Sequence, residues 1–201
     1  MSNQNQKDPA VVLIRNVRLS YPWLHKPQQG KNQDGTPNGK YQYAAVFLLD
    51  KVKNAEDIKK LTAAALHVKQ LKWNGKPVNL TGKSIRDGGE KEATEGYGPN
   101  VVFISARNDT KPGIVDGRLN ELSAETGKPY AGCYVNATVR AWAQDNSNGK
   151  RINWSLRNVQ FVRDGEPFGE KRVAASEEFE VIEEEGSVDK TPTAAPDLSQ
   201  I

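Results

Sequence analysis

A chain of 201 residues with 36% hydrophobic and 26% charged content can fill one core but not two large ones. No apolar run approaches the roughly 20 residues that span a bilayer. The polar opening "MSNQNQKDPA" lacks the apolar stretch of a signal peptide, so neither membrane contact nor export is expected. The net charge of +3 conceals a division: Met1–Arg163 holds 14 acidic and 25 basic residues, a net of +11, while from Asp164 onward eleven acidic residues face three basic ones, a net of −8. A basic body suits a polyanion, and an acidic end would compete with one.

In chain order, residues 1–10 read as a disordered leader. "VVLIRNVRLSY" alternates, with Val11, Leu13, Val17 and Leu19 on one face and Arg18 and Ser20 on the other, and Pro22 is expected to end this strand. "HKPQQGKNQDGTPNGK" reads as an exposed, mildly basic loop. "YQYAAVFLLD" is a second strand, apolar enough to be central. Asn54 with Asp57 resembles a capping box, and Ile58, Leu61, Ala65 and Val68 give helical spacing through about Leu71. Asn74–Asn100 is a glycine-rich excursion with short strands.

"VVFISAR" is a third clear strand, opposing Val102, Ile104 and Ala106 to Phe103, Ser105 and Arg107. A loop leads to "YAGCYVNATVRAWAQ", and "DNSNGK" turns that strand into "RINWSLRNVQFVRDG". From about Ser176 the chain is acidic, with little to bury, and is expected to be a disordered tail. The predicted architecture is mainly β: a small antiparallel barrel with one main α-helix over residues 11–175, followed by the acidic tail 176–201.

Catalytic constellations are missing. Two histidines, His25 in a loop and His67 on the helix, and one cysteine supply neither a zinc site nor a nucleophilic triad. In "LTGKS", Gly82, Lys83 and Ser84 match the end of a phosphate loop, but Pro77 stands where the pattern needs glycine. Asp87, Glu90, Glu92 and Glu95 could be imagined as a magnesium cluster of a nuclease, yet they fall in a glycine-rich stretch with no rigid strand to hold them, and read as a solvated loop. Cys133 reads as a small buried hydrophobe in a reducing compartment. No cofactor, no metal and no enzymatic activity are expected.

The chemistry that is present lies on "YAGCYVNATVRAWAQ". One face carries Cys133, Val135, Ala137, Val139, Ala141 and Ala143, suited to a tight core. The other carries Tyr134, Asn136, Thr138, Arg140 and Trp142. Rings turned outward beside a cation need a cover. Nucleic-acid bases are one such cover, since every base offers a π-face. Neighbouring segments supply Arg18, Tyr21 and Trp23, then Phe103 and Arg107, then Trp154 and Arg157, with Trp154 and Phe103 equally suited to the core. Basic loops add Lys26, Lys31, Lys40, Lys111, Lys128, Lys150 and Arg151. Of these cations, Lys40, Lys111, Lys150 and Arg151 are the candidates for DNA contact. Single strands are favoured because a duplex hides its base faces, and Lys59, Lys60, Lys69 and Lys72 of the one helix read as solvated cover. The alternative cover is another protein layer, which would make this a structural or assembly protein with an aromatic subunit interface.

"VRLSYP", "YAAVFLLD", "SIRDGGEKEATEGYGPNVVFISA", "KPGIVD", "YAGCYVNATV" and "NVQFVRDGEPFG" occur in the order found in a family of bacteriophage single-stranded DNA-binding proteins, which this chain resembles from about Val17 to Gly169. The resemblance implies an OB-fold barrel, DNA binding without catalysis, and a place in phage replication or recombination in the cytoplasm of the infected bacterial host. It assigns no contact residues, which rest on strand alternation alone. The partners it implies are single-stranded DNA, duplex DNA more weakly, and phage or host replication proteins through the acidic tail; a homodimer is compatible with the sequence. "EEFEVIEEEG" and the final "DLSQI" are similar in kind to the acidic ends of replicative single-strand-binding proteins, although only Asp197 is acidic in the last five residues.

Overall fold

The computed structural model describes residues 8–31 and 35–169. Its elements are β1 (Val11–Lys31), β2 (Pro37–Asp50), α1 (Ala55–Trp73), β3 (Arg86–Asp87), β4 (Val101–Asn108), β5 (Gly113–Val115), β6 (Tyr134–Asn146) and β7 (Gly149–Arg163). Five strands close into a barrel in the order β1-β2-β4-β7-β6, with β3 appended to β4 and β5 to β7. This is the strand order of an OB-fold. Neighbours around the barrel are antiparallel except β4 and β7, which run parallel, pairing Ala106 with Trp154 and Arg107 with Ser155. Directions cannot alternate around a ring of five, so one parallel pair is unavoidable.

The core follows the alternation of β6 and the residue before it: Cys133, Val135, Ala137, Val139 and Ala141 are all buried, together with Phe47, Leu49, Ile104, Trp154 and Leu156. Small side chains on β6 let α1 approach, and Leu61 and Ala64 of the helix enter the same core. Burial pushes the Cys133 thiol up to about 11, in keeping with a small buried hydrophobe.

Other expectations fail for local reasons. Val12 and Ile14 are buried and Leu13 is exposed, the reverse of the predicted face, because the β1–β6 register shifts between Ile14 and Val17 and Asn16 takes φ 49°. One extra residue flips every side chain before it to the other face. Pro22 does not end β1; the strand bends there, with Tyr21 at φ 46°, and continues to Lys31 paired with β2. Most of the predicted loop is therefore a hairpin arm. His25 lies on β1, half-buried, with Nε2 2.9 Å from the Lys128 carbonyl.

The capping box is absent. The Asn54 side chain instead takes the Asp50 N–H (2.9 Å) and donates to the Arg15 carbonyl (2.9 Å), while Asp57 accepts the Arg15 N–H (2.9 Å), tying the helix start to β1. At the other terminus Asp8–Ala10 form a turn that closes on Asp8, and the Ala10 carbonyl accepts from Ala141, so the expected leader is structured by residue 8.

The chain divides into two units, Met1–Gly169 and Glu170–Ile201. The second, which carries the expected acidic tail, lies outside the described residues, as do residues 170–175 of the expected domain. Among the described residues no helix is long and apolar enough to cross a membrane.

Candidate nucleic-acid interface

The strand register sets an outward row across the barrel: Ala44 on β2 pairs with Arg107 on β4, Arg107 with Ser155 on β7, and Ser155 with Arg140 on β6. Paired residues share a face, so these side chains and those two positions along project to one side. There the surface opens into a cleft of about 690 Å³. Lys40 and Gln42 of β2, Ser105 and Arg107 of β4, Trp142 and Gln144 of β6, and Arg151 and Asn153 of β7 line it. The remaining wall is the segment Thr81–Arg86. That wall is fastened to the β6–β7 hairpin by the Thr81 N–H donating to the Lys150 carbonyl (2.8 Å), and to the core by the Trp154 indole N–H donating to the Ser84 carbonyl (2.9 Å).

The cleft is cationic: Lys40, Lys83, Arg86, Arg107 and Arg151 line it against the single carboxylate of Asp109, which accepts from Gln42 Nε2 at 2.7 Å. Arg86 is held rigid, lying 4.2 Å from the Phe103 ring centroid and donating to Ser105 Oγ at 3.0 Å. Among the described residues Lys40, Arg86, Arg107 and Arg151 have no ion-pair partner, and the buried Arg151 Nε has no hydrogen-bond partner. Trp142, 38% exposed, presents its ring in the same cleft.

Of the predicted residues, the structure gathers Lys40, Arg107, Trp142 and Arg151 here, with the edge of Trp154 behind them. Two ring assignments are corrected: Phe103 is 1% and Trp154 3% exposed, so neither offers a face to a base. Phe103 was placed outward by alternation, but the 86–99 excursion folds over that face and buries it with Tyr97 and Leu48. The outward residues of β6 do not form one platform. Tyr134 stands between Arg163 (3.4 Å) and Arg18 (5.7 Å), Asn136 donates to Gln160 Oε1 (2.8 Å), and Arg140 pairs with Asp8 (3.0 Å).

Arg18 is itself structural, donating to the carbonyls of Gly132 (3.2 Å) and Glu166 (2.7 Å). Lys111 and Arg157 are exposed outside the cleft, Arg157 at a register shift between β6 and β7, and Lys150 lies 3.9 Å from Asp145. Tyr21 and Trp23 line a separate cleft. The acids set aside as a magnesium cluster point to different partners: Asp87 to Lys51 (2.6 Å), Glu90 to Lys83 (3.8 Å), Glu95 to the Gly169 N–H (2.8 Å).

Lys83, Arg86 and Gln42 were missed. The signal for the first two was present in "LTGKSIR", where two cations follow a glycine, but only the fold brings that segment opposite β7.

A family model described as Enterobacter phage Enc34, ssDNA-binding protein, matches residues 10–189. Protein p50 of Acyrthosiphon pisum secondary endosymbiont phage 1 is 39% identical over 178 residues, covering 84% of this chain and 92% of that protein. The structure of the single-stranded DNA-binding protein from bacteriophage Enc34 in complex with ssDNA superposes with a TM-score of 0.70 at 30% identity, covering 80% of this chain and 90% of that one. The fold is also that of gp2.5, a single-stranded DNA-binding protein of bacteriophage T7, with a TM-score of 0.52 at 13% identity over 90% of this chain and 98% of that one.

Proposed function

The chain belongs to the family of the Enterobacter phage Enc34 ssDNA-binding protein, and on that premise we propose that it binds single-stranded DNA through the cationic cleft, without catalysis and with little sequence preference. Bases stack on Trp142, while Lys40, Lys83, Arg86, Arg107 and Arg151 neutralise phosphates. The observation that carries this reading is the exposed Trp142 ring set in one cleft with Lys40, Arg86, Arg107 and Arg151, cations with no ion-pair partner among the described residues. The protein acts in phage DNA replication or recombination in the cytoplasm of the infected cell. Its acidic C-terminal residues compete with DNA for the basic body and contact replication proteins. The alternative of an aromatic subunit interface on β6 has lost its main support, since Tyr134 is covered by Arg18 and Arg163 of its own chain.

The test is a titration of labelled oligo-dT and of a duplex of equal length across salt, followed by intrinsic tryptophan fluorescence. Quenching with tight, salt-dependent binding of the single strand and weaker binding of the duplex is expected. Equal affinity for both, or no quenching, contradicts the groove.

A further inference from the structure

Phe103 is only 1% exposed, yet its ring does more than fill the core. The two-residue strand β3 sets Arg86 directly opposite Phe103 on β4, and Ser105 stands two residues further along the same face. The Arg86 guanidinium lies over the Phe103 ring, 4.2 Å from its centroid, and donates from Nη2 to Ser105 Oγ at 3.0 Å. Leu48 packs against the ring, and Tyr97 meets it edge to face with centroids 5.1 Å apart, so the ring is fixed beneath the guanidinium. From there the face runs outward through Ser105 to Arg107, into the cationic cleft.

The charge on Arg86 is left for a ligand. Asp87, next in the chain, gives its carboxylate to Lys51 Nζ (2.6 Å) and the Gly89 N–H (2.9 Å). Glu90 faces Lys83 at 3.8 Å, and Asp109 accepts from Gln42. The other N–H groups of Arg86 have no partner among the described residues. Like charges lining one cleft repel each other before any polyanion arrives. Lys40 and Arg107 have neither a side-chain hydrogen bond nor a ring contact among the described residues, so each must be ordered when a phosphate binds, at a cost in rotamer freedom. Arg86 has given up that freedom in folding.

We infer that Arg86 is the fixed phosphate anchor of the cleft and that Phe103, buried out of reach of any base, is the residue that positions it, together with Ser105. The inference rests on the reading of the cationic cleft as the DNA site and deepens it. Lys40, Lys83, Arg107 and Arg151 supply charge, whereas Arg86 supplies a placed donor that sets where the backbone of the strand lies. Charge and placement are read in different measurements. Charge sets the slope of log affinity against log salt; placement sets the affinity at a given salt and leaves the slope alone. Arg86→Lys keeps the first and loses the second, because an ammonium has no planar face to lay on Phe103.

The test titrates full-length protein with labelled oligo-dT across salt, with a thermal melt of every variant. Arg86→Ala should weaken binding and make the slope shallower by about 0.7. Phe103→Leu, Ser105→Ala and Arg86→Lys should each weaken binding about 2- to 10-fold at every salt, with the slope of wild type. In the Arg86→Ala background neither Phe103→Leu nor Ser105→Ala should have a further effect, since nothing is left to position. Equal losses with and without Arg86 would show that both residues act through the fold at large and would overturn the inference, as would wild-type affinity in Ser105→Ala and Arg86→Lys. If Phe103→Leu unfolds at the assay temperature, Ser105→Ala and its double variant decide the matter, because Ser105 belongs to neither buried cluster. If Arg86→Ala changes nothing while Trp142→Ala weakens binding, the anchor is refuted and the cleft stands. If neither changes the affinity, the reading of the cleft fails with it.

Discussion

Trp142→Ala separates binding from folding more cleanly than any other change in the cationic cleft. The side chain is 38% exposed, belongs to neither buried cluster, and its indole N–H has no hydrogen-bond partner among the described residues. Truncation therefore removes the packing of a partly buried ring and no internal bond, and should cost less than the roughly 3–5 kcal/mol of a fully buried tryptophan. A single stacked base contributes about 1–3 kcal/mol, so affinity should fall about 5- to 150-fold at fixed salt. Trp154→Ala is the contrasting control: it empties core volume at 3% exposure and removes the bond to the Ser84 carbonyl, so it should lower the melting temperature sharply. Fluorescence anisotropy of a labelled oligonucleotide, beside thermal melts, reads both effects. A folded Trp142→Ala protein that binds within two-fold of wild type would remove the ring from the interface and leave a purely electrostatic groove.

With five cations lining the cleft and a slope of about −0.7 per phosphate on single strands, log affinity should fall with log salt at about −3.5. Arg151→Ala should make that slope shallower by about 0.7, whereas Arg140→Ala, which breaks only the pair with Asp8, should leave it unchanged. Truncation after Ala175 should tighten DNA binding, more at low salt than at high, because screening already weakens a tethered polyanion; equal affinities at low salt, measured by the same titration, would refute the competition. Asp164 is held below its ordinary carboxyl value by Lys128 (3.0 Å) and then Tyr130 (2.9 Å). A depressed value stabilises the fold above the ordinary carboxylate range and is lost as pH falls through the folded value. The melting-temperature difference between wild type and Asp164→Asn should accordingly be present at pH 7 and vanish in acid. Cys133, buried with its thiol pushed up to about 11, should react with thiol reagents only at the rate of unfolding.

The sequence by itself determined the inward face of β6, the single helix, the mainly β class and the basic body. Each of these depends on local periodicity or on charge, and neither needs a partner strand to be read. Alternation also carried Trp142 and Arg107, because β-strands expose every second residue wherever they are placed, whereas Lys40 and Arg151, read as cations of basic loops, lie on strands β2 and β7. It failed where a local irregularity changed the phase: at Asn16, where one inserted residue reversed Val11–Ile14, and at Tyr21, where β1 bent past Pro22 instead of ending.

Tertiary structure alone decided the rest. Phe103 looks outward on its strand, and only the return of the 86–99 excursion buries it. Arg18 and Tyr134 look like a cation and a ring free for DNA, and only the approach of Arg163, Glu166 and Phe168 occupies them. That approach needs Gly132, at φ 101°, since a side chain there would strike the Glu166 carbonyl. Lys83 and Arg86 reach the cleft because Ser84 and Thr81 are bonded to strands about 70 residues away in sequence. Periodicity tells which way a side chain leaves its own strand, but what it meets there is set by segments distant in the chain.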